Sequence, residues 1–504
     1  MIASTYDEMP YVRTAYPQSH PDRLATIATL FGLTPPDVSR CRILELGCAA
    51  GDNLLPIASS LPATRCVGID LSERQIGEGR ETVAEMGLPN IDLRHGDIGA
   101  IDASWGTFDY IVAHGLYSWV PEPARQHIHR ICRENLAPDG VAYVSYNALP
   151  GWRMRGMVRE MMLYHAEQFP DSATKVQQGR SLLEFVAQSV GDDNPYGATL
   201  MAELDTTRRK ADAYVFHDYL EPDNHAVYFH QFAREAREQG LVYLAEASFP
   251  DMMVSNFSPV IADTLRRIGR DLIRLEQYMD FVRNRSFRQS LLVHEGVTIN
   301  RRVGWQALQK LHVQGLAEPA AIFVDLDSDA PAPFRTDKGS VFTPSHAMVK
   351  SAMLLLAEQR PRAIPFDELA MRARERLQER SATAPGAATA AQDAEILGTT
   401  LLQCYGAGVV ELHTASPSLV GQPSAHPRTS ALARVQARRG RAIVNQWHEP
   451  VALDAEDRAL IPLLDGTRDR TALLAATAKG SDGAPGAALD VSLSTLAKAA
   501  LLEA

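Results

Sequence analysis

Short apolar runs alternate with longer amphipathic segments over the first third of the chain. Between residues 42 and 146 the apolar runs have the length of strands, and the segments between them have the length and periodicity of helices. This alternation is typical of repeated βα units around a parallel sheet. The predicted strands are 42–46, 65–69, 91–94, 108–112 and 141–146, and the predicted helices begin near Asp52, Ser72 and Glu122.

The pattern changes after Trp152, where a stretch rich in Met, Arg and Gln covers residues 153–211. We interpret this stretch as a helical insertion or lid. A helix at 229–240 and an apolar strand at 241–249 then predict a late return to the sheet. The expected fold is therefore α/β, a Rossmann-like doubly wound sheet whose core spans residues 1–255.

The second half of the chain has a different pattern. A stripe formed by Leu265, Ile268, Leu272, Leu275 and Met279 predicts one amphipathic helix over 262–285 within a helical middle or regulatory region, 256–335. The polar segment 328–339 is predicted to be a linker. Small helices followed by strands predict a winged-helix-like module at 340–420 and a further small module at 421–504.

Length, composition and charge limit the possible classes of protein. A chain of 504 residues exceeds the roughly 250–300 residues of a single core, so several domains are expected. The net charge of −11 argues against a nucleic-acid binder, and the five cysteines show no paired spacing for zinc or disulfides. The acidic start of the chain and the lack of a long apolar run predict a cytoplasmic enzyme with no metal and no membrane partner.

The segment 43–51 reads as a buried strand followed by a tight turn of small residues. Such a turn brings the backbone close to a ligand. At the third position of the dinucleotide fingerprint the chain has Asp52, which would cap the next helix and repel a pyrophosphate. S-adenosylmethionine carries a sulfonium cation and no phosphate, so it is compatible with acidic residues such as Glu45 beside the glycines.

Two acidic residues follow the next strands. Asp70 is placed to accept the ribose hydroxyls, and Asp97 is placed to bind the exocyclic amine of an adenine that packs on Ile98. Each of these residues also has a purely structural interpretation, as a helix cap or a turn former. Their order at natural βα spacing predicts S-adenosylmethionine as the cofactor.

The motif Glu45-Leu46-Gly47-Cys48-x-x-Gly51, with Val67 to Ile76, resembles class I S-adenosylmethionine-dependent methyltransferases. The segments 114–121, 147–152 and 217–222 are similar to bacterial members that carry a methyltransferase regulatory domain. That group includes the rickettsial protein-lysine methyltransferases, which modify outer-membrane proteins. The resemblance implies that the cofactor is bound by Glu45, Gly47, Cys48, Gly51, Asp70, Leu71, Gln75, Asp97, Ile98 and His114.

Residues that follow the fourth strand are candidates for the methyl-acceptor site. Methyl transfer is an in-line displacement that depends on positioning, and a lysine acceptor must first lose a proton. We predict catalytic roles for Tyr117 and for His217, which is a candidate base. Trp119 and Tyr219 are predicted to bind the substrate. All four have an alternative interpretation as packing residues.

Three functions remain open at this stage. The first is methyl transfer to protein lysine, and the second is N- or O-methylation of a small molecule. The third is a cofactor-binding regulator whose C-terminus binds DNA through the basic cluster Arg428, Arg434, Arg438, Arg439 and Arg441. A homodimer is a further expectation.

Overall fold

The computed structural model describes residues 5–11, 13–380, 389–477 and 485–504. In that part of the chain one large sheet has seven strands. They are β1 (Arg42–Leu46), β2 (Arg65–Asp70), β3 (Ile91–His95), β4 (Phe108–Ala113), β5 (Leu136–Asn147), β6 (Leu241–Glu246) and β7 (Phe287–His294). The sheet order is β3-β2-β1-β4-β5-β7-β6.

The first five strands are parallel to their neighbours, as the βα alternation predicted. The last two are antiparallel, with β7 between β5 and β6. The sheet therefore does not close near residue 255 as predicted. Strand β7 was not predicted because its first half carries the polar residues Arg288, Gln289 and Ser290. Arg288 and Ser290 are nevertheless buried, as are the three apolar residues that follow them.

Helices cover both faces of the sheet. Buried side chains on one face include Ile43, Tyr110 and Tyr143, and those on the other include Leu44, Ile111 and Val144, as alternation along a strand requires. The helices of this region are α1 (Thr5–Glu8), α2 (Pro21–Leu30), α3 (Leu54–Ser60), α4 (Glu73–Met86) and α5 (Glu122–Asn135).

The segment after β5 forms its own helical unit, in agreement with the helical character predicted for 153–211. It contains α6 (Trp152–Ala166), α7 (Ser172–Val190), α8 (Pro195–Arg209) and α9 (Asp212–Val215), followed by a π-helical turn, Phe216–Leu220. Val158, Met162, Leu183 and Leu204 form the centre of a separate apolar cluster. The chain then returns through α10 (Phe229–Glu238) to β6.

The single helix predicted over 262–285 is wrong. The structure has α11 (Pro259–Ile268) and α12 (Leu272–Arg283), separated at Gly269. A Cβ at Gly269 would lie 2.8 Å from the Leu275 backbone, so the two helices meet too closely for a side chain there. Asp271 caps α12 by accepting a hydrogen bond from the Arg274 amide at 2.9 Å.

The segment 312–413 packs on the same apolar core as the large sheet. Met353, Leu356 and Leu401 belong to the apolar cluster that contains Leu24 and Ile43. Part of the predicted linker 328–339 is a strand. The elements are β8 (His312–Gly315), β9 (Ala317–Pro319), β10 (Phe334–Thr336), β11 (Val341–Phe342), α13 (Ala347–Gln359), β12 (Ala363–Pro365), α14 (Phe366–Arg380), α15 (Ala390–Gly406) and β13 (Val410–His413).

The C-terminal module has a smaller apolar cluster of its own, centred on Ile443, Leu464 and Leu496. Its elements are α16 (Ala431–Arg438), β14 (Ile443–Val444), β15 (Pro450–Val451), α17 (Ala455–Leu460), α18 (Arg470–Thr477) and α19 (Pro485–Lys498).

A buried charge cluster fixes β6, β7 and α12 together. Arg288 is fully buried and donates to Glu246 at 2.8 Å, to Glu276 at 3.0 Å and to Asp280 at 2.8 Å. Burial raises the pKa of Glu276 and of Asp280, although Arg288 lies beside both. Arg288 thus contacts all three carboxylates, and Glu246 also pairs with Arg285 at 2.9 Å.

We expect Arg288→Met to lower the free energy of unfolding by about 3–5 kcal/mol, because buried carboxylates would lose their partner. Urea denaturation measures this change. The matched control is Arg234→Met, since the Arg234–Glu238 pair is exposed and its N–O distance is 3.9 Å. The control should change the free energy by less than about 1 kcal/mol. Equal effects of the two substitutions would contradict the prediction.

Candidate active site

The residues predicted to bind the cofactor follow four neighbouring strands. Glu45 lies near the end of β1, Asp70 ends β2, Asp97 follows β3 and His114 follows β4. Because parallel strands end at the same edge of a sheet, the order β3-β2-β1-β4 brings these residues together. The geometric basis of the sequence prediction is therefore present.

The turn after β1 has an unusual backbone. Gly47, Ala49 and Gly51 have φ values of 71°, 50° and 76°, which lie in the left-handed region. Cys48 is buried and packs on β2, where a Cβ at Gly68 would lie 2.6 Å from its Sγ. The absence of a side chain at Gly68 thus lets the turn lie directly on the sheet edge.

Glu45 is a buried carboxylate with an unsatisfied oxygen. Its Oε1 accepts a hydrogen bond from Asn53 Nδ2 at 2.8 Å, whereas Oε2 has no hydrogen-bond partner among the described residues. Burial raises the pKa of Glu45 to about 8. A buried oxygen without a partner is costly unless a ligand satisfies it, so the site fits a cofactor that carries an ammonium group.

Asp70 connects two backbone segments of the site. It accepts hydrogen bonds from the Ala49 amide at 2.8 Å and from the Ser72 amide at 2.9 Å. Burial raises its pKa. Each carboxylate oxygen retains a second lone pair, so these bonds leave room for the predicted contact with ribose hydroxyls.

The adenine side of the site is more open. Asp97 is exposed and accepts a hydrogen bond from the Gly99 amide at 2.7 Å, which is the turn-forming role that the sequence left open. Ile98 is buried and Leu71 is 63% exposed. Gln75, by contrast, is buried on α4. Contacts of these four residues with the cofactor stay predictions.

The structure corrects the role predicted for Asp52. Helix α3 begins at Leu54 with Asn53 as its N-cap residue, so Asp52 does not cap it. The Asp52 carboxylate pairs with Arg13 at 2.7 Å and lies 3.9 Å from Arg441. Because these cations neutralise it, Asp52 alone would not exclude a pyrophosphate.

An aromatic stack covers the end of β4, and half of it comes from a residue that the sequence analysis missed. The Tyr16 ring stacks on His114 with centroids 3.6 Å apart, and His114 Nδ1 lies 2.8 Å from the Tyr143 hydroxyl. Burial lowers the pKa of His114 to about 3. Burial, followed by nearby carboxylates that include Asp218, raises the pKa of Tyr16 to about 12. Both rings are therefore uncharged at neutral pH.

Two of the predicted acceptor-site residues are core residues. Tyr117 is fully buried, packs on Phe232 and donates from its hydroxyl to Glu235 at 2.5 Å. Tyr219 is fully buried in the helical insertion, where its hydroxyl donates to Glu203. The roles predicted for Tyr117 and Tyr219 are therefore corrected to packing roles, because both rings are buried and both hydroxyls donate to carboxylates of the protein.

His217 is not arranged as a general base. Its Nε2 lies against the Met9 carbonyl at 2.5 Å, and its Nδ1 lies 3.0 Å from Glu221 Oε1. Both ring nitrogens are therefore engaged by hydrogen-bond acceptors of the protein itself. The predicted catalytic role of His217 is corrected to a structural one. The residue anchors the N-terminal segment through the Met9 carbonyl.

Trp119 retains the position predicted for it. It is partly exposed after β4 and meets Trp152 edge to face, with ring centroids 6.0 Å apart. The Arg159 guanidinium lies 5.9 Å from the Trp119 ring centroid. Trp119 can therefore line a groove at the carboxyl edge of the sheet.

The basic cluster predicted for DNA binding is largely engaged inside the protein. Arg428 pairs with Glu503 at 3.1 Å, and Arg434 donates to the Leu464 carbonyl at 3.3 Å. Arg438 and Arg439 both contact Glu85 on α4. These pairings leave little free charge to neutralise phosphates.

Neither a membrane-spanning helix nor a metal site is found within the described ranges. No helix there is long and apolar enough to cross a membrane. No group of three His, Cys, Asp or Glu side chains in the same ranges could hold a metal ion. The five cysteines are free and buried.

The raised pKa of Glu45 predicts a pH-dependent stability. The folded pKa of about 8 lies above the ordinary value of 4.5, so the folded state holds a proton that the unfolded state loses between these pH values. The contribution of Glu45 to the free energy of unfolding should therefore fall as the pH rises from 4.5 to 8. Glu45→Gln removes this loss and should stabilise the unliganded protein by on the order of 1–3 kcal/mol at pH 8.

Urea denaturation at pH 5 and pH 8 checks the expectation for Glu45→Gln. The difference between variant and wild type should be small at pH 5 and large at pH 8. A variant that is less stable than the wild type at pH 8 would show that Glu45 is not a buried, uncompensated carboxylate.

Three family models match the chain. A methyltransferase domain matches residues 43–140, a "predicted methyltransferase regulatory domain" matches 211–294, and a "PKMT, C-terminal winged helix domain" matches 426–482. The winged-helix architecture predicted for the C-terminus is thus confirmed. The matched segment lies beyond 340–420, and the regulatory-domain model begins inside the predicted core.

Relatives match almost the whole chain. The uncharacterized protein RP789 of Rickettsia prowazekii is 34% identical over 94% of this chain and 85% of its own length. A second R. prowazekii protein, RP028, is 41% identical over 47% of this chain and 94% of its length. The structure of PKMT2 from Rickettsia typhi in complex with AdoHcy is 29% identical, covers 98% of this chain and 100% of its own, and has a TM-score of 0.86.

The glycine turn after β1, the acidic residues at the adjacent strand ends and these full-length similarities agree with one another. They also confirm S-adenosylmethionine as the cofactor. The chain belongs to the family of S-adenosylmethionine-dependent methyltransferases that carry a methyltransferase regulatory domain.

Proposed function

We propose that this methyltransferase transfers methyl groups to lysine side-chain amines of proteins. The observation that carries the proposal is the likeness to PKMT2 of Rickettsia typhi, which covers 98% of the chain and includes the C-terminal module. A likeness confined to the cofactor-binding domain would not distinguish one acceptor from another, because that fold serves many acceptors.

The chain's own residues hold the cofactor in this proposal. Glu45 would offer its unpaired Oε2 to the ammonium group, the turn 47–51 would supply backbone contacts, and Asp70 would accept hydrogen bonds from the ribose hydroxyls. When bound, the cofactor supplies an electrophilic methyl group. The remaining task of the protein is to bring a neutral amine in line with that methyl group.

The amine is proposed to enter beside Tyr16, His114 and Asp218. The Tyr16 amide and Glu45 both form hydrogen bonds with Asn53, and Asp218 is among the carboxylates that, after burial, raise the pKa of Tyr16. Asp218 is 7% exposed and lies 3.4 Å from Arg155. Its carboxylate oxygens keep lone pairs beside the Arg155 contact and can accept a hydrogen bond from a lysine ammonium. The uncharged aromatic rings stabilise the cation until burial favours loss of its proton.

A second group of residues could bind an acceptor that carries carbonyl oxygens, as a polypeptide does. Trp119 and Trp152 form an aromatic wall, and Trp152 donates to Asn224 Oδ1 at 2.7 Å. Among the described residues, Arg159 Nη1, Asn224 Nδ2 and Asn147 Nδ2 are buried donors without a hydrogen-bond partner. The carbonyl oxygens of a peptide backbone are suitable hydrogen-bond acceptors for these donors. The lysine ammonium itself has no acceptor atom, so the backbone around the lysine would make these contacts.

The remaining expectations keep the status of proposals. The helical segment 153–211 is proposed to act as a lid, and the enzyme is proposed to work in the cytoplasm, where thiols such as the five free cysteines stay reduced. Dimerisation stays a prediction. Methylation of a small molecule is the alternative that the labelling experiment must exclude.

Transfer of a labelled methyl group tests the proposal directly. The full chain is incubated with methyl-labelled S-adenosylmethionine and three preparations from a bacterial lysate: its proteins, the same proteins with acetylated lysines, and its small-molecule filtrate. We expect label in the first preparation, recovered as methyllysine after hydrolysis, and its loss after acetylation. Label found only in the filtrate would support the small-molecule alternative and overturn the proposal.

Asp218→Asn separates acceptor binding from cofactor binding. Loss of the negative charge should raise KM for a lysine-containing acceptor about tenfold, because one close ion pair in a partly buried site contributes about 1.4 kcal/mol. Calorimetry should show an unchanged Kd for S-adenosylhomocysteine.

The matched control for this substitution is Asp212→Asn, since Asp212 pairs with Arg180 at 2.8 Å on the exposed side of the insertion. This variant should leave both constants unchanged. An unchanged KM in Asp218→Asn would remove Asp218 from the acceptor site.

A further inference from the structure

The C-terminal winged-helix region contacts the segments that follow the cofactor turn. Arg439 donates to Thr82 Oγ1 at 2.8 Å and contacts Glu85, and Arg438 lies 3.2 Å from Glu85. Arg441 lies 3.9 Å from Asp52, the residue directly after the turn. The three arginines thus contact carboxylates of α4 and of the residue after the turn, although the Arg438 side chain stays 51% exposed.

His448 extends this contact to the cofactor site itself. The residue is 3% exposed and has a left-handed backbone, with φ of 62°. Its Nε2 lies 2.8 Å from Asn53 Oδ1, and its ring packs on His20 with centroids 4.9 Å apart. Burial lowers the pKa of His448 well below its ordinary value, so the neutral ring donates its one proton to Asn53.

The hydrogen bonds from His448 and from the Tyr16 amide together fix the orientation of the Asn53 side chain. Asn53 Oδ1 accepts from His448 Nε2 and from the Tyr16 amide at 2.9 Å. A flipped amide would place its own NH₂ group against these two donors. In the observed orientation Asn53 Nδ2 donates to Glu45 Oε1, which leaves Oε2 as the unpaired oxygen of the site.

We infer that the winged-helix region is an internal clamp on the cofactor site, with His448 as a positioning residue that orders Glu45 through Asn53. The clamp consists of Arg438, Arg439, Arg441 and His448. Its arginines hold the region against α4 and the turn, and His448 fixes the amide that orients Glu45. Cofactor affinity therefore depends on a module that does not touch the cofactor. The inference rests on the proposed contact between Glu45 and the cofactor.

Binding of S-adenosylhomocysteine to the full chain, measured by calorimetry without any acceptor, tests the clamp. We expect His448→Leu to raise Kd about fivefold, as loss of one buried hydrogen bond implies. His448→Gln, which places an amide donor at similar reach, should restore Kd to within about twofold of the wild type. A purely structural role would change the melting temperature and leave the Kd of the folded protein unaltered.

The matched control is Arg470→Ala, which removes an ion pair with Asp490 inside the same C-terminal module. It should leave Kd unchanged. A folded His448→Leu variant with wild-type Kd would overturn the inference. If His448→Leu does not fold, the double variant Arg438→Ala/Arg439→Ala provides the test. We expect this variant to raise Kd about twofold to threefold. An unchanged Kd would overturn the clamp.

The assay contains no acceptor, so its result is independent of the proposal that lysine is methylated. Absence of methyllysine in the labelling experiment would leave the clamp standing. A wild-type chain that does not bind S-adenosylhomocysteine would instead overturn the assigned cofactor site and the clamp together.

Discussion

The hydrogen bond between Asn53 and Glu45 connects most features of the site. It stabilises a carboxylate that burial otherwise destabilises, and it joins the end of β1 to the start of α3 across the glycine turn. The N-terminal segment adds the Tyr16 amide, and the C-terminal module adds His448. Three distant parts of the chain thus converge on one amide, so the geometry around Glu45 depends on the whole molecule.

Contacts of α2 explain why the second half of the chain is not a loosely attached domain. Asp22 accepts hydrogen bonds from the Thr414 amide at 2.7 Å and lies 2.8 Å from His413 Nδ1, while Arg23 pairs with Glu411 at 2.8 Å. The apolar cluster below α2 continues from the sheet into the helices of the segment 312–413. Rigid attachment of this kind is what a clamp on the cofactor site requires.

Buried charge recurs at positions where segments distant in sequence meet. Arg288 joins β6, β7 and α12, and Arg13 joins the N-terminal segment to Asp52 and Glu78. The attraction within such a pair must first offset the free energy of removing both charges from water, so the pairs contribute more to specificity than to stability. In this protein they define which surfaces of the regulatory and C-terminal regions meet the sheet.

The sequence determined the parts that depend on local pattern. The parallel strands, the glycine turn and the acidic strand ends could be predicted because the carboxyl ends of parallel strands must meet at one edge. The sequence could not show whether the Tyr117 and Tyr219 rings point into the core or toward a ligand. An aromatic residue after a strand or in a helix has the same sequence pattern in both cases. Strand β7 was hidden because its polar residues are satisfied only by partners such as Glu246 and Asp280.

Only the tertiary structure revealed Tyr16, Asn53 and His448 as parts of one site. His448 is 395 positions from Asn53, and no periodicity or motif connects two residues at that separation. The same holds for the basic cluster, for which DNA binding was an open alternative in the sequence, because Arg438 and Arg439 pair with Glu85 on α4. The sequence therefore specified the cofactor edge, whereas long-range packing decided what surrounds it, because those contacts depend on how the domains meet.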